Sequence, residues 1–134
     1  MRLAGVSPEV QLHVASVIES AANYIAENGW HQGDFFRAGA TACAATALLI
    51  AAGQIRRPSD VESVESMDAW NELENDLAVV AFADYVRSSG GLAYTQNTVS
   101  IWAWNDAEGR TEDEVLTALM SCAESLRSGA RVAA

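Results

Sequence analysis

The sequence predicts an all-α fold: one compact helical bundle over residues 1–134, built around a central Ala-rich helix. Three observations predict it. Apolar residues recur three and four positions apart in several long stretches, as on one face of a helix. One stretch, residues 38–52, is apolar on every side. The stretches are punctuated by capping residues and glycines rather than by hairpin turns.

The first helix is predicted from Pro8 to Asn28. Ser7 is placed to cap it and Pro8 suits a first position that needs no backbone donor. Val10, Val14, Val17, Ile18, Ala21 and Ile25 form its apolar stripe. Gly29 follows as a left-handed stop, with Trp30 folding back onto Ile25 in a Schellman ending. After a loop over 31–37 comes the helix over 38–52. Its run of Ala, Leu, Ile and Cys leaves almost no polar face, so burial on all sides is expected. Ser59 and Glu62 have the spacing of a capping box that opens a short acidic helix. A longer helix is expected over about 68–88, with Trp70, Leu73, Leu77, Val80 and Ala81 inward and Gly90 and Gly91 ending it. Residues 92–104 read equally as an extended segment or a helical turn, because Val99, Ile101 and Ala103 alternate with Ser100, Trp102 and Trp104. The last helix is expected over 112–127, with Val115, Leu119, Cys122 and Leu126 inward.

Composition narrows the function classes. The 134 residues carry 18 acidic and 8 basic side chains, for a net charge of -10. All the basic residues are arginine. Direct nucleic-acid binding is not expected, since a phosphate backbone is met by a broad basic face. Two cysteines, Cys43 and Cys122, are too few for a disulfide scaffold. No apolar run reaches the roughly 18 to 20 residues that cross a bilayer, and no secretory signal is visible at the N-terminus. A cytoplasmic protein without a membrane partner is the expectation.

The densest motif is Trp104-Asn105-Asp106-x-x-Gly109-Arg110-Thr111-x-x-Glu114-Val115. Asn105 and Asp106 favour a turn, Gly109 admits a positive φ, and Thr111 with Glu114 makes a capping box for the last helix. Asp106 is expected to close the turn and to pair with Arg110. Together with Gly29-Trp30-x-Gln32-Gly33 and Cys43 in a small-residue helix, this motif resembles a family of small uncharacterised proteins from actinobacteria and their phages. That family tends to have Cys-x-x-Gly-Ala where this chain has Cys43-Ala44-Ala45-Thr46-Ala47. The resemblance implies a fold and assigns no catalytic residue.

Several residue sets carry candidate chemistry. Cys43 with His31 and Asp34 has the residue types of an activated nucleophile, the helix N-terminus favouring a thiolate. Asn105, Asp106 and Arg110 suit either a structural latch or a small polar ligand. Trp102 is a candidate contact residue, since tryptophan anchors interfaces. The run Asp60, Glu62, Glu65, Asp68, Glu72, Glu74 and Asp76 has no intervening basic residue. Within it Glu65, Glu72 and Asp76 are candidate docking residues on a face that is solvated, mimics DNA, or meets a basic partner. No metal site is expected: His13 and His31 are the only histidines, and the carboxylates lack calcium-loop spacing. No cofactor is expected. The reading that follows is a non-catalytic binding or regulatory protein acting on a protein partner, or on a second copy of itself. A phage-type factor that interferes with a host or defence protein is a special case. The alternatives are a small-molecule binder or cysteine hydrolase centred on Cys43, His31 and Asp34, and an acidic DNA mimic.

Overall fold

Ser7 begins the first helix as its sequence requires: the hydroxyl accepts the Val10 N–H at 3.3 Å, and α1 runs Pro8–Asn28. The computed structural model describes residues 3–33, 39–90 and 94–133. Among them lie five further α-helices: α2 (Ala44–Ala51), α3 (Met67–Glu74), α4 (Leu77–Gly90), α5 (Asn97–Asn105) and α6 (Glu112–Ala133). A 3-10 helix, Pro58–Ser63, joins α2 to α3. The described residues form no sheet; the sole β contact is a bridge between Trp30 and Ala42.

The Ala-rich helix is central, as expected. Residues 44–49 of α2 are all buried, and α2 packs on α1, α4 and α5. α1 packs chiefly against α6, and α4 against α5. The side chains of Ile18, Ile25, Leu48, Leu49, Phe82, Ile101, Leu119 and Leu126 fill one core. Phe82 meets Trp104 edge-on, with ring centroids 5.5 Å apart, a geometry that adds to plain burial.

Five local expectations need correction, each for a physical reason. Gly29 ends α1 with φ 96° and ψ 161°, an extended mirror-image conformation rather than the left-handed helical one. This region is essentially reserved for glycine, and an added Cβ would stand 3.1 Å from Thr41 Cγ2. Trp30 therefore does not return in a Schellman ending; the chain runs on beside Ala42. Second, α2 starts at Ala44, not at 38, because Ala42 is held in that bridge and Cys43 is extended. Cys43 is thus the N-cap, ahead of the helix rather than a turn inside it.

Third, the helix expected over 68–88 is two helices. Asp76 breaks it, its carboxylate accepting the Ala78 and Val79 N–H groups at the start of α4. Fourth, Ser59 and Glu62 do not open the 3-10 helix. Asp60 does, accepting the Arg56 and Arg57 N–H groups at 2.9 and 3.0 Å, and these bonds hold its carboxyl below the usual range. Fifth, Asp106 and Arg110 do not pair. Arg110 lies 3.6 Å from Glu114, stacks 4.3 Å above the Trp104 ring, and donates to the Trp104 carbonyl.

Of the ambiguous 92–104 stretch, residues 92 and 93, like Gly91 before them, lie outside the described residues, and the remainder is helix from Asn97. Trp104 is buried, while Trp102 faces elsewhere and is half-buried. The capping box forms as drawn from the sequence: the Glu114 N–H meets Thr111 Oγ1 at 3.2 Å, and Glu114 accepts the Thr111 N–H at 3.0 Å. The last helix runs one and a half turns beyond the expected end. Thr111→Ala is expected to lower the unfolding free energy by about 0.5 to 2 kcal/mol. Urea titration followed by circular dichroism measures this.

Candidate functional site

Two places in the fold collect the residues singled out by the sequence. The first is a polar knot centred on Asn105, in the last turn of α5. Its side chain is fully buried. Oδ1 accepts the Trp30 indole N–H at 2.6 Å and the Ala44 N–H at 3.0 Å. Nδ2 donates to the His31 carbonyl at 3.1 Å and to Asp106 Oδ1 at 3.0 Å. An amide side chain has two donors and two acceptor lone pairs, so every polar valence of Asn105 is engaged by this chain.

The surroundings extend the same design. Gln32 Nε2 donates to the Asn105 and Ala107 carbonyls, both at 3.0 Å, closing the C-terminal end of α5. Asp106 Oδ1 also accepts the Gly33 N–H at 2.9 Å. The three patches that carry the family resemblance, 29–33, Cys43 with the start of α2, and 104–115, therefore meet at one point. Cys43 supplies no side-chain cap to α2; Asn105, 61 positions along the chain, supplies it instead. The orphan N–H groups of a helix start need a partner when buried, and this one comes from another helix.

The nucleophile set is arranged differently from a catalytic pair. Cys43 is buried, and its Sγ lies 3.2 Å from the Thr46 hydroxyl. His31 is also buried, with Nδ1 3.0 Å from the Thr41 hydroxyl. Asp34 lies outside the described residues. Burial pushes the Cys43 thiol up from its ordinary value, against the smaller opposing effect of the Thr46 hydrogen bonds. Burial likewise raises Cys122, to about 12. Both groups therefore stay protonated at neutral pH and gain thiolate only on strong alkalinisation or unfolding. Both thiols are expected to react slowly with an alkylating reagent at pH 7 to 8 and fast in denaturant. Rapid native labelling of Cys43 alone would make it a working nucleophile.

The second place is a groove of about 320 Å³ between α3 and α5. Met67, Trp70, Asn71 and Glu74 line it from α3, spaced three and four apart. Thr98, Val99 and Trp102 line it from α5. Its walls are mainly apolar, and Met67 is 72% exposed at its edge. Sequence reasoning singled out Trp102 but missed Met67 and Val99, and it assigned Trp70 to the core stripe. The available signal was a second stripe on α3, Met67-x-x-Trp70-Asn71, beside the buried Leu73.

Glu74 makes this groove possible. Its carboxylate accepts the Asn97 and Thr98 N–H groups and the Thr98 hydroxyl, and the Asn97 side chain donates to the Glu74 carbonyl. Gln96, the residue before α5, gives no side-chain cap. The acid on α3 thus caps α5 and holds the two groove walls together.

The candidate acidic residues divide. Asp76 is half-buried, caps α4 and accepts from Gln54 at 3.2 Å. Glu65 and Glu72 are exposed. A wider depression between α4 and α6, about 470 Å³, is lined by Tyr85, Ser89, Thr117 and Ser121. Its apolar wall, Trp104, already carries the Arg110 guanidinium.

Among the described residues no group of three or more His, Cys, Asp or Glu is placed to hold a metal ion. None of their helices is long and apolar enough to cross a membrane. A family model described as a family of unknown function, DUF6197, matches residues 9–125. That span contains both the Asn105 knot and the groove. No curated protein and no solved structure matches the chain.

Proposed function

The chain belongs to DUF6197, a family of unknown function, and we propose that it acts by binding a protein partner through the α3–α5 groove. The observation that carries this reading is the contrast between the two sites. The polar knot has its hydrogen-bonding groups turned on one another, which makes it a structural latch. The groove leaves Met67, Trp70, Val99 and Trp102 around an apolar hollow, with Met67 largely in water. Two of these four side chains are tryptophan, and aromatic side chains are favoured anchors at contact sites.

A phage-type factor acting on a host or defence protein is one form of this reading. A small apolar ligand is the second reading, because about 320 Å³ falls at the lower end of ordinary ligand pockets. Affinity capture from the producing cell tests both, comparing the wild-type chain with Met67→Ser and Trp102→Ala. A protein enriched by the wild type and lost from both variants, with their helical circular dichroism unchanged, supports the proposal. Equal capture by all three overturns it. A small molecule carried through purification by the wild type alone, seen by native mass spectrometry, establishes the second reading.

A further inference from the structure

The groove and the polar knot lie at opposite ends of one short helix. We propose that α5 couples them: what tightens or loosens its start beside Glu74 is felt at Trp30 and at the start of α2, and the reverse holds equally. Given the groove-binding reading above, a segment seated against Val99 and Trp102 strengthens the hold of Asn105 on α2.

At both ends α5 is held by side chains from other elements. It has 9 residues, fewer than the roughly 12 to 15 at which a lone helix is already marginal in water. Gln96 gives its start no side-chain cap. Two other helices hold that start instead. Glu74 of α3 accepts the Asn97 and Thr98 N–H groups and the Thr98 hydroxyl. Arg87 of α4 donates to the Tyr94 and Thr95 carbonyls at 3.0 and 3.2 Å and to the Ser100 hydroxyl at 3.1 Å. At the other end Gln32 donates to the Asn105 and Ala107 carbonyls. The Asn105 side chain there bonds Trp30, His31 and Ala44.

Between these ends, burial of Ile101 and Trp104 ties α5 to the core. Burial is non-directional, so the hydrogen bonds at the two ends set the position and register of the helix. Helix formation is cooperative, and so short a segment loses stability throughout when one end frays. The distance to be bridged is also small. Trp102, on the groove wall, stands three residues before Asn105, and positions three apart are neighbours on a helix surface. A shift of α5 that moves Trp102 therefore moves Asn105. The Trp30 indole N–H, the Ala44 N–H and the His31 carbonyl then lose the geometry of their bonds to it. Both sites bias one equilibrium, between α5 docked at both ends and α5 released, and coupling of that kind is reciprocal.

Hydrogen exchange of the full chain, read residue by residue by NMR, tests the coupling from each end. At the groove end the variant is Glu74→Ala, with Glu74→Gln as the milder change should the first fail to fold. The Ala44 amide and the Trp30 indole N–H are expected to accelerate at least ~10-fold more than the Ile18 and Leu119 amides of α1 and α6, a factor ordinary for coupled sites. At the knot end the variant is Gln32→Ala, whose side chain is exposed. There the Asn97 and Thr98 amides are expected to outpace the same two references. Acceleration confined to the end that was changed overturns the coupling. So does an effect that crosses α5 in one direction only, because linkage is reciprocal. Acceleration of Ile18 and Leu119 as large as that at the far end of α5 means unfolding of the whole chain, and it too overturns the coupling. Each of these failures leaves the groove-binding reading standing; that reading fails separately, on equal capture by the wild type, Met67→Ser and Trp102→Ala.

Discussion

Asn105→Ala is expected to lower the free energy of unfolding by about 3 to 5 kcal/mol. The alanine leaves the Trp30 indole N–H, the Ala44 N–H and the His31 carbonyl without the partner each now has. Asn105 is fully buried, and a buried group stripped of its partner costs about 1 to 3 kcal/mol. The loss is a large part of a typical domain stability of about 5 to 15 kcal/mol. Asn105→Asp should be no milder. It retains an acceptor for Trp30 and Ala44 but faces the His31 carbonyl and the Asp106 carboxylate with negative charge. Urea unfolding at fixed pH measures both variants. A loss below about 1 kcal/mol for Asn105→Ala would show that the site opens and water replaces the amide.

Glu74→Ala is expected to cost about 1.5 to 3 kcal/mol, since it removes charge-assisted bonds from a half-buried helix start. Its effect should also be local. The Asn97 and Thr98 N–H groups and the Thr98 hydroxyl lose their acceptor together, so the first turn of α5 should fray and the groove widen. Hydrogen exchange at residues 97–102 is expected to accelerate more than exchange in α1 or α6. Glu74→Gln keeps one side-chain oxygen and should fall between the wild type and the alanine variant. Uniform acceleration across the chain would instead make Glu74 an ordinary contributor to global stability. Binding at the groove should weaken in Glu74→Ala even at temperatures where the protein stays folded. Under the proposed reading, that loss would come from the shifted positions of Trp102 and Val99 together with the loss of Glu74 from the groove lining.

Both predictions turn on the same physical distinction, between helix ends satisfied by neighbours in sequence and helix ends satisfied by another element. Ser7, Ser66 and Thr111 act within three residues of themselves. Such caps are written in local residue order. The sequence by itself therefore determined the starts of α1 and α6, the capping box at Thr111, and the all-α class. It also determined the centrality of α2, because a helix apolar all round has nowhere to go but inside. Asp76 was equally local; its signal, an acid just before an apolar run, was absorbed into a longer stripe that continued on both sides of it.

The tertiary structure decided the rest. Asn105 caps α2 from 61 residues away and Glu74 caps α5 from 23 to 24 residues away. No period or spacing encodes such a partnership, because it exists only once packing has brought the two ends together. The alternation at 99–104 was ambiguous for that reason: without the Glu74 carboxylate, α5 has no start signal. The same limit hid the groove between α3 and α5. Met67 and Trp70 belong to a stripe that looks like core until α5 is seen to stop short of covering it. The sequence marked Asn105, Asp106 and Arg110 as special because they are rare types at fixed offsets. Only the contacts show that Asn105 and Asp106 bond to residues 30–33 and the start of α2, that Arg110 goes to Trp104 and Glu114 instead, and that an apolar groove opens between α3 and α5.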